Sequence, residues 1–87
     1  MQNITMNKLY KLQFEKAQDS YVLLFPEGMV NLNQSAAEIL LQVNGSKSDR
    51  DIIAALREKF PDAPDDLDQD VQMFLAHAHE KNWINYE

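Results

Sequence analysis

Between residues 10 and 15 apolar and polar side chains alternate: Tyr10, Leu12 and Phe14 against Lys11, Gln13 and Glu15. A period of two predicts a strand with one face buried. After the polar connection EKAQD, the run YVLLF from Tyr21 to Phe25 is apolar on both faces, which predicts a strand in the middle of a sheet. Pro26 has no N–H to give to a ladder and Glu27-Gly28 permits a tight reversal, so PEG reads as a turn. A third and very short strand, Gly28 to Leu32, then places Val30 and Leu32 on one side and Met29 and Asn31 on the other.

From residue 34 onward the period becomes helical. Ala36, Ile39, Leu40 and Val43 recur at i, i+3, i+4 and i+7, predicting a helix from about Gln34 to Asn44 with Gly45 as a left-handed stop. Either Asn33 or Ser35 can cap it, and Ser35 with Glu38 has capping-box spacing. Ser48 with Asp51 repeats that spacing ahead of a second stripe, Ile52, Ile53, Leu56 and Phe60, which ends before Pro61. Leu67, Val71, Phe74, Leu75 and Ala78 form the stripe of a third helix. The closing NWINY is expected to pack Trp83 and Ile84 on the core.

Strands first and helices after predict an α+β domain. Its simplest form is a three-stranded antiparallel sheet followed by a three-helix bundle, an order that is winged-helix-like. Residues 10–87 are assigned to this single domain and residues 1–9, which show no pattern, to a flexible N-terminal tip. With 87 residues, 45% of them hydrophobic, the chain supports one small core and no second domain.

Composition then removes whole classes of chemistry. No cysteine is present, which excludes disulfides, thiolate metal sites and thiol nucleophiles within the polypeptide. The net charge of −6 opposes binding to nucleic acid or anionic lipid, which depends on neutralising phosphates, and favours a polypeptide partner. No run approaches the length of a membrane span, and MQNITMNKLYKLQF lacks the basic start and apolar centre of a signal peptide, so a cytoplasmic protein is expected.

The remaining candidates are weak as catalytic or metal sites. His77 and His79 are two positions apart on a helix, so their rings point to different sides, whereas a chelating pair favours i, i+4. No triad spacing surrounds Ser35 or Ser48. In DAPDDLDQD the alternation of Asp66, Asp68 and Asp70 imitates half of an EF-hand loop, yet Val71 stands where the turn glycine belongs and His77 where the final Glu belongs. Acids at the start of a helix are explained by its macrodipole, with an electrostatic docking surface as the alternative. Met29 and Met73 read first as core filler; a groove that adapts to a peptide is the other use of thioethers. No enzyme activity, metal or cofactor is expected.

Taken as they stand, YKLQFEKAQDSYVLLFPEGMVNLNQSAAEILLQVNG, IIAALREKFPD, DVQMFL and the closing WI resemble the pyrroloquinoline quinone (PQQ) biosynthesis protein D family, PqqD, over about residues 10 to 86. LLFPEGMVNLNQSAAEIL is the most specific part. Leu-Asn, Ser-Ala-Ala and an apolar helix also resemble the wider group of recognition domains in pathways that modify ribosomally made peptides. The resemblance implies a non-catalytic peptide chaperone. It would bind the precursor peptide, protein A of the pathway, and present it to a radical S-adenosylmethionine enzyme, protein E, which cross-links a Glu and a Tyr of that peptide.

The resemblance also implies a peptide site between the third strand and third helix, here Gly28, Met29, Val30, Asn31 and Leu32 facing Val71, Phe74, Leu75 and Ala78. Strand addition to an open sheet edge is the physical basis. Were the Val30 N–H directed outward, Val30→Pro would weaken such binding. A domain from another modified-peptide pathway and a winged-helix nucleic-acid binder are the alternatives, the latter opposed by mixed charge on the second helix. A homodimer formed by edge pairing or strand exchange is left open.

Overall fold

Residues 2–87 are described by a computed structural model of the chain. Strands β2 (Lys11–Glu15), β3 (Ser20–Phe25) and β4 (Gly28–Asn31) form an antiparallel sheet in the order β2-β3-β4. Leu12, Leu23 and Val30 lie opposite one another across it and face the helices. On β3 the consecutive residues Val22 and Leu23 are both fully buried, as expected of a central strand. Gln13 and Asn31 flank Val22 on the outer face.

Helices α1 (Gln34–Leu41), α2 (Asp49–Lys59) and α3 (Leu67–Glu80) share one core with the inner face of the sheet. α1 lies directly on β3, α2 packs on α1 and α3, and α3 packs also on the C-terminal strand Ile84–Tyr86. Of the two candidate caps for α1, Asn33 is used: its Oδ1 accepts the Ala36 N–H at 2.8 Å, and Ser35 falls inside the first turn. The second capping box forms as read. Ser48 Oγ accepts the Asp51 N–H at 3.3 Å, and Asp51 Oδ2 accepts the Ser48 N–H at 3.1 Å. Ser48→Ala removes one half of this exchange at a buried position and is expected to cost about 1 kcal/mol, read as a lower urea midpoint. An unchanged midpoint would show that the box contributes nothing to stability.

The N-terminal segment departs from expectation. Met1 lies outside the described residues, and the rest of the supposed loose tip is anchored. Ile4–Met6 form β1, antiparallel to β5 (Ile84–Tyr86) in a second, two-stranded sheet with Ile4 opposite Tyr86 and Met6 opposite Ile84. On its other side β1 meets the α1–α2 loop: Ile4 N–H donates to Lys47 C=O at 2.9 Å, and Gly45 N–H donates to Ile4 C=O at 3.1 Å. Ile4 and Ile84 are both completely buried.

The same pairing explains why α1 stops at Leu41, short of the expected Asn44. Residues 45–47 are drawn into contact with β1, and Gly45 takes the positive φ of 86° that the bend requires. Phe60 also differs: it follows the last residue of α2 and is 37% exposed, so the buried part of that stripe ends at Leu56.

Candidate functional site

β4 has one neighbour, β3, and so forms an edge of its sheet. Which groups it leaves free follows from the ladder. Leu32 N–H donates to Tyr21 C=O at 3.1 Å, and Val30 lies opposite Leu23 in the same register. Antiparallel pairs alternate between bonded and non-bonded, so Val30 is bonded inward to Leu23, while Met29 and Asn31 direct their backbone N–H and C=O to the open side. Two outward-facing residues are therefore available to an incoming strand.

A groove of about 590 Å3 runs beside this edge. Val30, Asn31 and Leu32 supply its sheet side, and Ala36 and Ile39 of α1 form part of the floor. The opposite wall is α3, through Leu67, Asp70, Val71, Met73, Phe74 and His77, with Trp83 set behind them. Phe74 and Trp83 have ring centroids 6.3 Å apart, and His77 meets the Trp83 indole edge-on at 5.5 Å. This aromatic cluster makes the wall stiff and largely apolar, while Asp70 and His77 stay exposed at the rim.

A peptide paired with β4 would direct alternate side chains into this groove, because successive residues of a strand point to opposite faces. Apolar burial then adds to main-chain pairing. Among the described residues no group of three or more His, Asp or Glu side chains is placed to hold a metal. No helix is long and apolar enough to cross a membrane among those residues. His77 and His79 diverge as their spacing implies, His77 to Trp83 and His79 to Tyr86.

The family model described as coenzyme PQQ synthesis protein D matches residues 20–84, which include β3, β4, all three helices and the start of β5. The chain belongs to the PqqD family. A protein of Pseudomonas paraeruginosa named PqqA binding protein is 51% identical over 78 residues, covering 90% of this chain and 84% of that one. A relative of the same name from Azotobacter vinelandii is 53% identical over 75 residues, 86% of this chain and 80% of its own.

Among solved structures, the chain is similar in fold to the solution structure of the PqqD truncation of Methylobacterium extorquens PqqCD, described as a stand-alone recognition element for ribosomally synthesized, post-translationally modified peptides. The TM-score is 0.76 at 23% identity, over 94% of this chain and 87% of that one. The crystal structure of PqqD from Xanthomonas campestris matches with a TM-score of 0.56 at 27% identity, over 88% and 86% of the two chains. The α+β arrangement expected from the sequence, with a three-stranded antiparallel sheet and three helices, is the one these PqqD structures share.

Within this PqqD-family fold the nine residues expected at the peptide site separate into three groups. Val30, Asn31, Leu32, Val71 and Phe74 line the groove. Gly28 and Met29 belong to β4 but not to the groove lining; Met29 offers its backbone to the edge, and its side chain, 49% exposed, lies on the outer face. Leu75 and Ala78 are corrections. Both are fully buried in the core, because Val71, Leu75 and Ala78 make the inward face of α3 whereas Asp70, Met73, Phe74 and His77 make the neighbouring face toward the groove.

The condition attached to Val30→Pro, an outward Val30 N–H, is not met, since that group belongs to the β3–β4 ladder. Met73, read first as core filler, is instead 64% exposed on the groove wall. Leu67, Asp70, His77 and Trp83 are groove residues that the site reading missed. For the α3 members the available signal was position: each lies three or four residues from Val71 or Phe74.

Proposed function

We propose that this protein is a non-catalytic recognition domain of PQQ biosynthesis that binds a PqqA-type precursor peptide by adding it as a strand to β4. The observation that carries this reading is the pair of outward-directed residues, Met29 and Asn31, beside an apolar groove walled by α3. The relatives named PqqA binding protein support the choice of ligand. Presentation of the bound peptide to a radical S-adenosylmethionine enzyme that cross-links Glu and Tyr is the corresponding role in the pathway. The cytoplasm is its setting.

Energetics define what each part contributes. Two residues offer at most four main-chain bonds, each worth about 0.5–1.5 kcal/mol net. Micromolar binding requires about −8 kcal/mol after association has cost at least about 4 kcal/mol. Edge pairing alone falls short, and burial of apolar side chains, about 1.5–3 kcal/mol each, supplies the difference. Selectivity therefore resides in the groove and register in the edge.

The winged-helix-like order of elements does not favour nucleic acid in this chain. Besides the net charge of −6, Arg57 and Lys59 of α2 are engaged with Asp68 and Glu38. The peptide reading is tested by titrating isotopically labelled protein with synthetic PqqA. The amides of Met29 and Asn31 and of the α3 segment 70–77 are expected to shift together; a spectrum unchanged at high peptide excess would overturn the proposal.

A further inference from the structure

A second cavity, of about 260 Å3, opens between the start of α1, the end of α2 and the loop leading into α3. Leu56, Phe60 and Ala63 make it mainly apolar, with Gln34, Ser35 and Glu38 of α1 on its polar side. Ser35, Pro64 and Leu67 line both this cavity and the groove beside β4, so the two spaces adjoin. Its frame is held by ion pairs: Lys59 Nζ lies 2.7 Å from Glu38 Oε1, linking α2 to α1, and Arg57 Nε donates to Asp68 Oδ1 at 3.0 Å, linking α2 to α3. Arg57 also donates to the Asp65 carbonyl, which ties down the loop itself.

We propose that this pocket is a second anchor site for the same precursor peptide and takes one aliphatic or aromatic side chain next to the segment paired with β4. The inference rests on the peptide-binding reading of the edge and names a further determinant of its specificity. β4 presents only two outward residues, so strand addition fixes a very short segment of any peptide. A peptide running on from Asn31 toward the start of α1 reaches Ser35, Pro64 and Leu67, the boundary shared by both spaces.

The lining sets the chemistry of the anchor. An apolar side chain removes the exposed ring of Phe60 from water, whereas an anionic one would meet Glu38 on the pocket wall. A cationic one would have to compete with Lys59 for that carboxylate while losing water against Leu56 and Ala63. Because the ion pairs frame the cavity in the free protein, little reorganisation is needed to fill it. Preformed pockets of this kind concentrate binding energy in single residues.

The test compares Ala63→Trp, which fills the pocket, with Asn31→Pro, which blocks the edge, using synthetic PqqA and a set of PqqA peptides carrying single apolar-to-Ser changes. Ala63→Trp is expected to raise the Kd at least about tenfold, as loss of one buried anchor does. One apolar-to-Ser peptide should weaken binding to the unaltered protein by a similar factor and have no further effect on Ala63→Trp. If Asn31→Pro weakens binding and Ala63→Trp does not, the anchor is overturned and strand addition stands.

If neither variant changes the Kd, the peptide reading of the edge fails as well. A measurement without substitution guards against misfolding: the Ala63 methyl and Phe60 ring signals should move with the Met29 and Asn31 amides during titration. Stationary Ala63 and Phe60 signals at saturation would overturn the anchor.

Discussion

Asn31→Pro is expected to leave the domain folded and to weaken PqqA binding by about 10- to 100-fold. The backbone of Asn31 faces away from β3, so proline there removes no bond of the existing ladder; edge strands tolerate proline on their open side. An incoming peptide would lose one donor and meet the pyrrolidine ring where its own carbonyl should approach. A lost bond and that clash together amount to about 1.5–3 kcal/mol. Val30→Pro is the contrasting variant. Its N–H is bonded toward Leu23, so this change breaks the β3–β4 hairpin, and its first effect should be a lower unfolding midpoint. Titration of both variants, with circular dichroism to verify folding, checks the assignment; undiminished affinity in folded Asn31→Pro would rule out strand addition at this edge.

Ile4→Ala should be among the most destabilising single substitutions available in this chain, although residue 4 lies in a stretch without sequence pattern. Ile4 is fully buried against the core and carries two of the bonds that join β1 to the α1–α2 loop. Truncating such a residue costs about 2–5 kcal/mol. For a domain of this size, whose whole stability is on the order of 5–10 kcal/mol, the melting temperature should fall by roughly 10–20 °C. Thermal unfolding followed by circular dichroism measures this. A melting point within 2–3 °C of the parent, roughly, would show that β1 contributes almost nothing to the fold.

These two positions mark opposite limits of reading a sequence. The edge position of β4 follows from placing the doubly apolar β3 in the middle of three strands, which leaves the strands before and after it at the edges. Which of its residues face outward was not foreseen, because side-chain alternation reports the two faces of a sheet and says nothing of the in-plane direction of N–H groups. On α3 the stripe was correctly located, but a stripe has width. Leu75 and Ala78 occupy its inward half, and the residues toward the groove, Asp70, Met73, Phe74 and His77, straddle its margin and the polar face.

β1 and β5 illustrate a different limit. Each is three residues long, too short to establish a period, and each is defined by a partner some eighty positions away. Their pairing also moved the end of α1, so one unseen long-range contact changed a local boundary.

The sequence by itself determined the order of three strands and three helices, the central place of β3, the second capping box and the absence of cysteine chemistry, all of which follow from local spacing or composition. Its resemblance to PqqD supplied the expectation of a peptide site between β4 and α3. Only the tertiary structure decided that Met29 and Asn31 hold the open backbone groups, that Trp83 and His77 stand beside Phe74 on the groove wall, and that the Phe60 pocket adjoins the groove. Those features depend on how distant segments are brought together in three dimensions, and spacing along a single chain does not encode that directly.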